Sequence, residues 1–197
     1  MRRLTRADLW SLEDYAARRA EFRARVMTHK QHRRLALGDH LTLCFEDRLT
    51  IQYQVQEMLR IERIFEAEGI EAELDAYNPL IPDGGNWKAT LMIEYADAEE
   101  RRAALARLVG VEHQVWVRVH GFGNVRARAD EDMERSNADK TSAVHFLRFD
   151  LNPEMIAAVR AGAAIGAGVD HPACRFICEP VPDAVRDALA ADLGDSP

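Results

Sequence analysis

Cysteine is scarce in this chain: Cys44, Cys174 and Cys178 are the only three, odd in number and widely split. That excludes a disulfide framework and predicts a reducing, cytoplasmic setting. Long apolar runs are missing as well. No stretch approaches the ~20 residues that span a bilayer. The charged start Met1-Arg2-Arg3-Leu4-Thr5-Arg6 has no apolar stretch behind it, so neither a membrane segment nor a secretory signal is predicted. Aromatic residues make up only 7%, and repeats and low-complexity tracts are absent.

The signatures of several chemistries are missing too. There is no Gly-x-Ser-x-Gly for a nucleophile elbow and no His-Glu-x-x-His for a zinc protease. No Glu-x-x-His pair supports a di-iron bundle. Gly121-Phe122-Gly123 lacks the third glycine of a dinucleotide loop, since Arg126 stands there. Gly162, Gly166 and Gly168 follow a helical pattern instead of opening one, so they offer no phosphate cradle. His171-x-x-Cys174-x-x-x-Cys178 has ligand types for zinc. On a strand its two cysteines point the same way about 13 Å apart, from the ~3.3 Å rise per residue, too far to share one ion. A turn there would bring them together. No catalytic residue and no metal ligand is assigned, and nothing names a cofactor.

What is present suffices for a folded core: 197 residues, 47% hydrophobic and 30% charged. The net charge of -7 is unevenly spread, because residues 1–35 carry ten basic and four acidic side chains. A basic arm on an acidic body reads as an arm docked on its own body, on a second copy, or on an acidic protein partner. Nucleic acid comes last, because the acidic remainder repels phosphate.

Residues 11–35 form a helical pattern capped by Ser11. Leu12, Tyr15, Arg19, Phe22, Val26, His29 and Arg33 fall on one face. Three of these can carry positive charge, which a core stripe tolerates only where each finds a partner or snorkels to the edge. Short strands at 35–37 and 41–45 flank a turn at Gly38-Asp39. A second helix is predicted from about Arg48 to Glu68, closed by Gly69. The two helices should pair. Glu62 either contacts Arg19, His29 or Arg33, or lies at the stripe's margin in water. A short helix over 70–77 leads to the breaker-rich loop Ile81–Asn86. Beyond it, strands are predicted at 87–95, 113–120, 124–129, 141–151 and 163–169, with 175–179 either a strand or a turn, and helices at 98–108, 154–161 and 183–193. Residues 130–140 read as an exposed loop.

The fold expected is α+β: a mainly antiparallel sheet packed by helices, with an N-terminal helical pair. One domain should cover 1–197, its helical part about 9–80 and its sheet-rich part about 87–193.

Several segments resemble an uncharacterised bacterial family, domain of unknown function 3501: 37–48 (LGDHLTLCFEDR), 50–64 (TIQYQVQEMLRIERI), 76–82 (AYNPLIP), 90–94 (TLMIE), 134–147 (ERSNADKTSAVHFL) and 169–172 (VDHP). They are spread over about residues 20–193. The resemblance brings no assigned activity. Genes of the family tend to lie near those for rubrerythrin-like proteins and iron–sulfur oxidoreductases, which implies a redox or oxidative-stress setting. It draws attention to Arg48, Glu57 and Glu62 on the matched helix, and to Lys140, His145, Asp170 and His171 in the matched strand segments. One polar pocket between helix and sheet would explain both sets, and so would a structural network fixing the helix pair. The expected role is a non-catalytic accessory or binding protein, acting by protein contacts or self-association through the basic N-terminal helix. The alternative is an enzyme, or a metal- or haem-binding protein, with a His/Asp/Glu pocket.

Overall fold

The structure, a computed structural model, describes residues 2–131, 135–137 and 139–194. Helix α1 (Leu12–Gln31) begins at Ser11, whose hydroxyl accepts the Asp14 N–H at 3.1 Å, one of the amides a helix start leaves unpaired. All seven stripe positions face inward. Tyr15, Phe22, Val26 and Arg33 are buried, and Leu12, Arg19 and His29 half-buried. The chain leaves the helix at His32 and enters the hairpin β1 (Arg34–Ala36) and β2 (Leu41–Phe45), with Gly38 at φ +82° in its turn. The positive φ costs glycine nothing.

Helix α2 (Arg48–Glu62) is capped by Asp47, which accepts the Thr50 N–H at 2.8 Å. It ends earlier than its periodicity predicts. Arg63 turns left-handed at φ 56° and Ile64 N–H returns to Leu59 O at 2.9 Å, so Ile64 drops into the helical cluster beside Leu59 and Leu74. Gly69 is therefore no cap. It lies inside α3 (Ala67–Tyr77), and a Cβ there would sit 2.6 Å from the Ile64 side chain. A close turn between α2 and α3 needs that hydrogen.

Next come β3 (Asn86–Ile93), α4 (Ala98–Arg107) and β4 (Val115–Val119). His113 belongs to a single 3-10 turn before β4. The predicted strand over 124–129 is two, β5 (Val125–Arg126) and β6 (Arg128–Ala129). β5 pairs with β4, and β6 pairs with β7 (Val144–Asp150). The chain thus changes sheets at Ala127, whose N–H donates to Val115 O at 2.9 Å. α5 (Pro153–Arg160), β8 (Ile165–His171), β9 (Cys174–Cys178) and α6 (Asp183–Ala191) complete the order.

Both sheets are antiparallel throughout. One runs β1-β2-β3-β7-β6 and the other β5-β4-β8-β9. Alternation sends Leu43, Trp87, Leu91, Leu147 and Phe149 of the first and Val115, Val117, Ile165 and Val169 of the second into one core, closed by Val185 and Leu189 of α6. Trp87 Nε1 donates to Leu189 O at 2.9 Å, so its buried indole is satisfied. The opposite face of the five-stranded sheet looks toward α2 and α3. The fold is α+β, and no helix among the described residues is long and apolar enough to cross a membrane.

Candidate anion-binding cleft

The residues singled out from the sequence do not converge. Arg48, at the start of α2, pairs with Asp8 at 2.6 Å. Glu57 takes the Arg19 guanidinium on both oxygens, at 2.7 and 2.9 Å, and the Tyr15 hydroxyl at 2.6 Å. The Arg19 hydrogen bonds pull its carboxyl down to about 2. Glu62, by contrast, is exposed at the end of α2. The contact between helices is made by Glu57, one and a half turns earlier. Lys140 is exposed. Asp170 pairs with Arg126 at 3.1 Å on the outer side of β8. His171 points the other way, donating from Nε2 to Val109 O at 3.1 Å and accepting the Ala173 N–H on Nδ1. These neighbours in sequence cannot act as a pair, because successive strand residues face opposite sides.

The other cations of the α1 stripe are matched as well. Arg33 is buried on Asp192, with Asp47 at 3.4 Å and the carbonyls of Phe45 and Glu46 at 3.1 and 3.2 Å. His29 also contacts Asp47.

His145, fully buried, sits in a closed network. Nδ1 faces Asp130 at 2.6 Å, and Nε2 faces the Thr141 hydroxyl at 2.8 Å and the Ser142 carbonyl at 3.1 Å. Glu112 accepts from Ser136 at 2.6 Å and Thr141 at 3.2 Å. Burial pushes the Glu112 carboxyl up, but these hydrogen bonds and His145 more than offset that and hold it below its ordinary value. A carboxylate, a histidine and a hydroxyl in line form the geometry of a nucleophile relay. Here, however, Thr141 is 2% exposed and its oxygen is shared among Glu112, Ser136 and His145. The hydroxyl is buried and already engaged. The network instead folds the segment around Asp130, Arg135 and Ser136 onto β7, so the predicted exposed loop turns these side chains inward; residues 132–134 and 138 lie outside the described residues. The three thiols are pushed up by burial, away from the thiolate that redox exchange requires. Cys174 and Cys178 occupy opposite ends of β9, and among the described residues no three His, Cys, Asp or Glu side chains are grouped to hold a metal ion.

The structure opens a different place. Between α2–α3 and the outer face of the five-stranded sheet lies a cavity of about 490 Å³, within the ~300–1,000 Å³ of small-molecule sites. Met58, Tyr77, Pro79, Leu80 and Phe146 supply its apolar wall. Its floor is cationic. Register places Lys88 of β3 opposite Arg148 of β7, and Arg148 opposite Arg128 of β6. Like charges directly opposed across strands destabilise a sheet, and carboxylates relieve only part of this row. Glu131 accepts from Arg148 at 2.9 Å, and Asp150 lies 3.3 Å from Arg128 and 3.4 Å from Arg148. Arg135, on Asp130 at 3.4 Å, covers the Phe146 ring at 4.6 Å. The Lys88 ammonium has no ion pair or hydrogen bond among the described residues. Burial, then Arg148, holds its pKa below the ordinary lysine value, and the more distant Glu131, Asp83 and Asp150 offset this only in part.

The sequence placed Lys88 and Arg148 in predicted strands and gave neither a role. What was missing was the register, set by β3–β7 pairing across some sixty residues of chain.

Against known proteins, no curated protein matches. The fold is shared with the crystal structure of a novel protein of unknown function from Burkholderia pseudomallei K96243, at 52% identity and a TM-score of 0.93, covering 98% of this chain and 100% of that one. The family model for proteins of unknown function, DUF3501, matches residues 3–193, and the chain belongs to that family.

Proposed function

We propose that this is a binding protein whose cleft between α2–α3 and the sheet takes a small organic anion. The observation that carries the reading is the row Lys88–Arg148–Arg128, whose half-buried lysine makes no ion pair among the described residues. A half-buried charge facing a like charge is costly, and an anion in the cleft removes both penalties. The apolar wall adds contact area for an organic body. Titration with the dye anilinonaphthalene sulfonate, an aromatic anion, tests it. One saturable site per chain is expected, weakened about tenfold by Lys88→Met and by Arg148→Met. Absence of saturable binding, or binding indifferent to both changes, overturns the reading.

A second reading rests on α1. Arg23 and Arg25 are exposed and make no ion pair among the described residues, which favours contact with an acidic protein surface or a second copy. Sedimentation at low and high salt checks it. Association that weakens with salt, and further in Arg23→Glu/Arg25→Glu, supports it; a salt-indifferent species removes it.

A further inference from the structure

The charge around the cleft sets the class of anion, given that an anion binds there. Three of the four lining cations already have carboxylates: Arg128 and Arg148 at Asp150, Arg148 also at Glu131, and Arg135 at Asp130. Among the described residues Lys88 is the one lining cation with no carboxylate within ion-pair distance; Glu131, Asp83 and Asp150 act on it only from further off. Across from the sheet, α3 brings two acids to the same cavity, Glu73 and the exposed Asp75. They repel a second negative group at the helical side. Between the two charged zones lie Met58, Tyr77, Pro79, Leu80 and Phe146.

We infer that the ligand is a monoanionic amphiphile, a carboxylic acid with one apolar body. The carboxylate meets Lys88 beside Arg148, and the body lies against the apolar wall. A phosphate monoester, carrying about -1.5 to -2 at neutral pH, brings more charge than one lysine without an ion pair among the described residues balances. A dicarboxylate of similar length is opposed by Glu73 and Asp75.

Calorimetric titration of the full chain with decanoate, decanedioate, decyl phosphate and decanol decides the matter. Decanoate should bind saturably, at least about tenfold tighter than the other three. Lys88→Met should abolish that preference and Lys88→Arg should keep it, with circular dichroism confirming that both variants are folded. Glu73→Gln/Asp75→Asn should bring decanedioate toward decanoate. If decanedioate or decyl phosphate binds as tightly as decanoate, the monoanion class is overturned while an anion site at the cleft stands. Equal binding of decanol overturns the electrostatic argument. No binding of any of the four, together with no dye binding, removes the site itself.

Discussion

Single residues carry two kinds of charge in this protein, and they respond to substitution in opposite directions. Glu57 is a satisfied carboxylate: Arg19 and Tyr15 bind its ionised form and hold it near 2. Its folded-state pKa is depressed, so its stabilisation is complete above about pH 4.5 and is lost as pH falls toward 2. Glu57→Gln should cost about 1 kcal/mol at neutral pH, allowing for the partly exposed Arg19. It should also flatten the acid limb of the stability curve, as urea unfolding at a series of pH values would show; an unchanged acid limb contradicts the assignment. Lys88, with no ion pair among the described residues, is the counterpart. Removing its charge in Lys88→Met should leave the melting temperature unchanged or raise it by ~2–4 °C, the equivalent of about 1 kcal/mol at this chain length. A loss of stability would mean that the ammonium has a partner in solution.

Elements are fixed by close approaches that one atom can spoil. Gly168 of β8 lies under Trp116 of β4, and a Cβ there would stand 2.4 Å from Trp116 Cζ2 and 2.6 Å from the Phe176 carbonyl of β9. Neither neighbour can move freely, since one is a buried indole and the other backbone. Gly168→Ala should therefore cost more than about 2 kcal/mol, read from the urea midpoint; tolerance would show that β8 and β9 can separate cheaply. The segment holding Asp130 and Arg135 depends in the same way on His145. His145→Ala takes the imidazole from Asp130 and from beside Glu112, leaving Arg135, Ser136 and Thr141 as their partners, and should cost about 3 kcal/mol. Because Glu131 and Arg135 also line the cleft, dye affinity should fall with it. A large stability loss with unaltered affinity would separate network from cleft.

At the scale of the molecule, Arg33 joins the end of α1, the β2–α2 junction and the C-terminal side of α6 through Asp47 and Asp192. Burial pushes the Asp192 carboxyl up to about 6 although Arg33 pulls it down, so desolvation outweighs attraction at this pair. Truncating one side, in Asp192→Ala, leaves Arg33 buried with fewer counter-charges and should cost about 3 kcal/mol. Replacing both in Arg33→Met/Asp192→Leu should recover part of that, since Asp47 then keeps His29 in place of Arg33. A double variant no more stable than the single would mean that the pair contributes net stability.

Sequence alone determined the elements and much of their facing. Period-3.6 spacing put six residues of α1, and Arg33 just beyond it, on one inward stripe, because that pattern is a local consequence of backbone geometry. It also brought out the need for partners to the cations on that stripe. Tertiary structure decided who those partners are: Glu57 and not Glu62, since a left-handed Arg63 ends α2 and leaves Glu62 in water. It decided that Asp170 and His171 part company across β8, and that residues 124–129 serve two sheets. Above all it decided the cleft. Lys88, Arg148 and Arg128 are far apart in the chain and each unremarkable in its own strand; only strand register, a non-local choice fixed by burying one face of the sheet, sets them side by side.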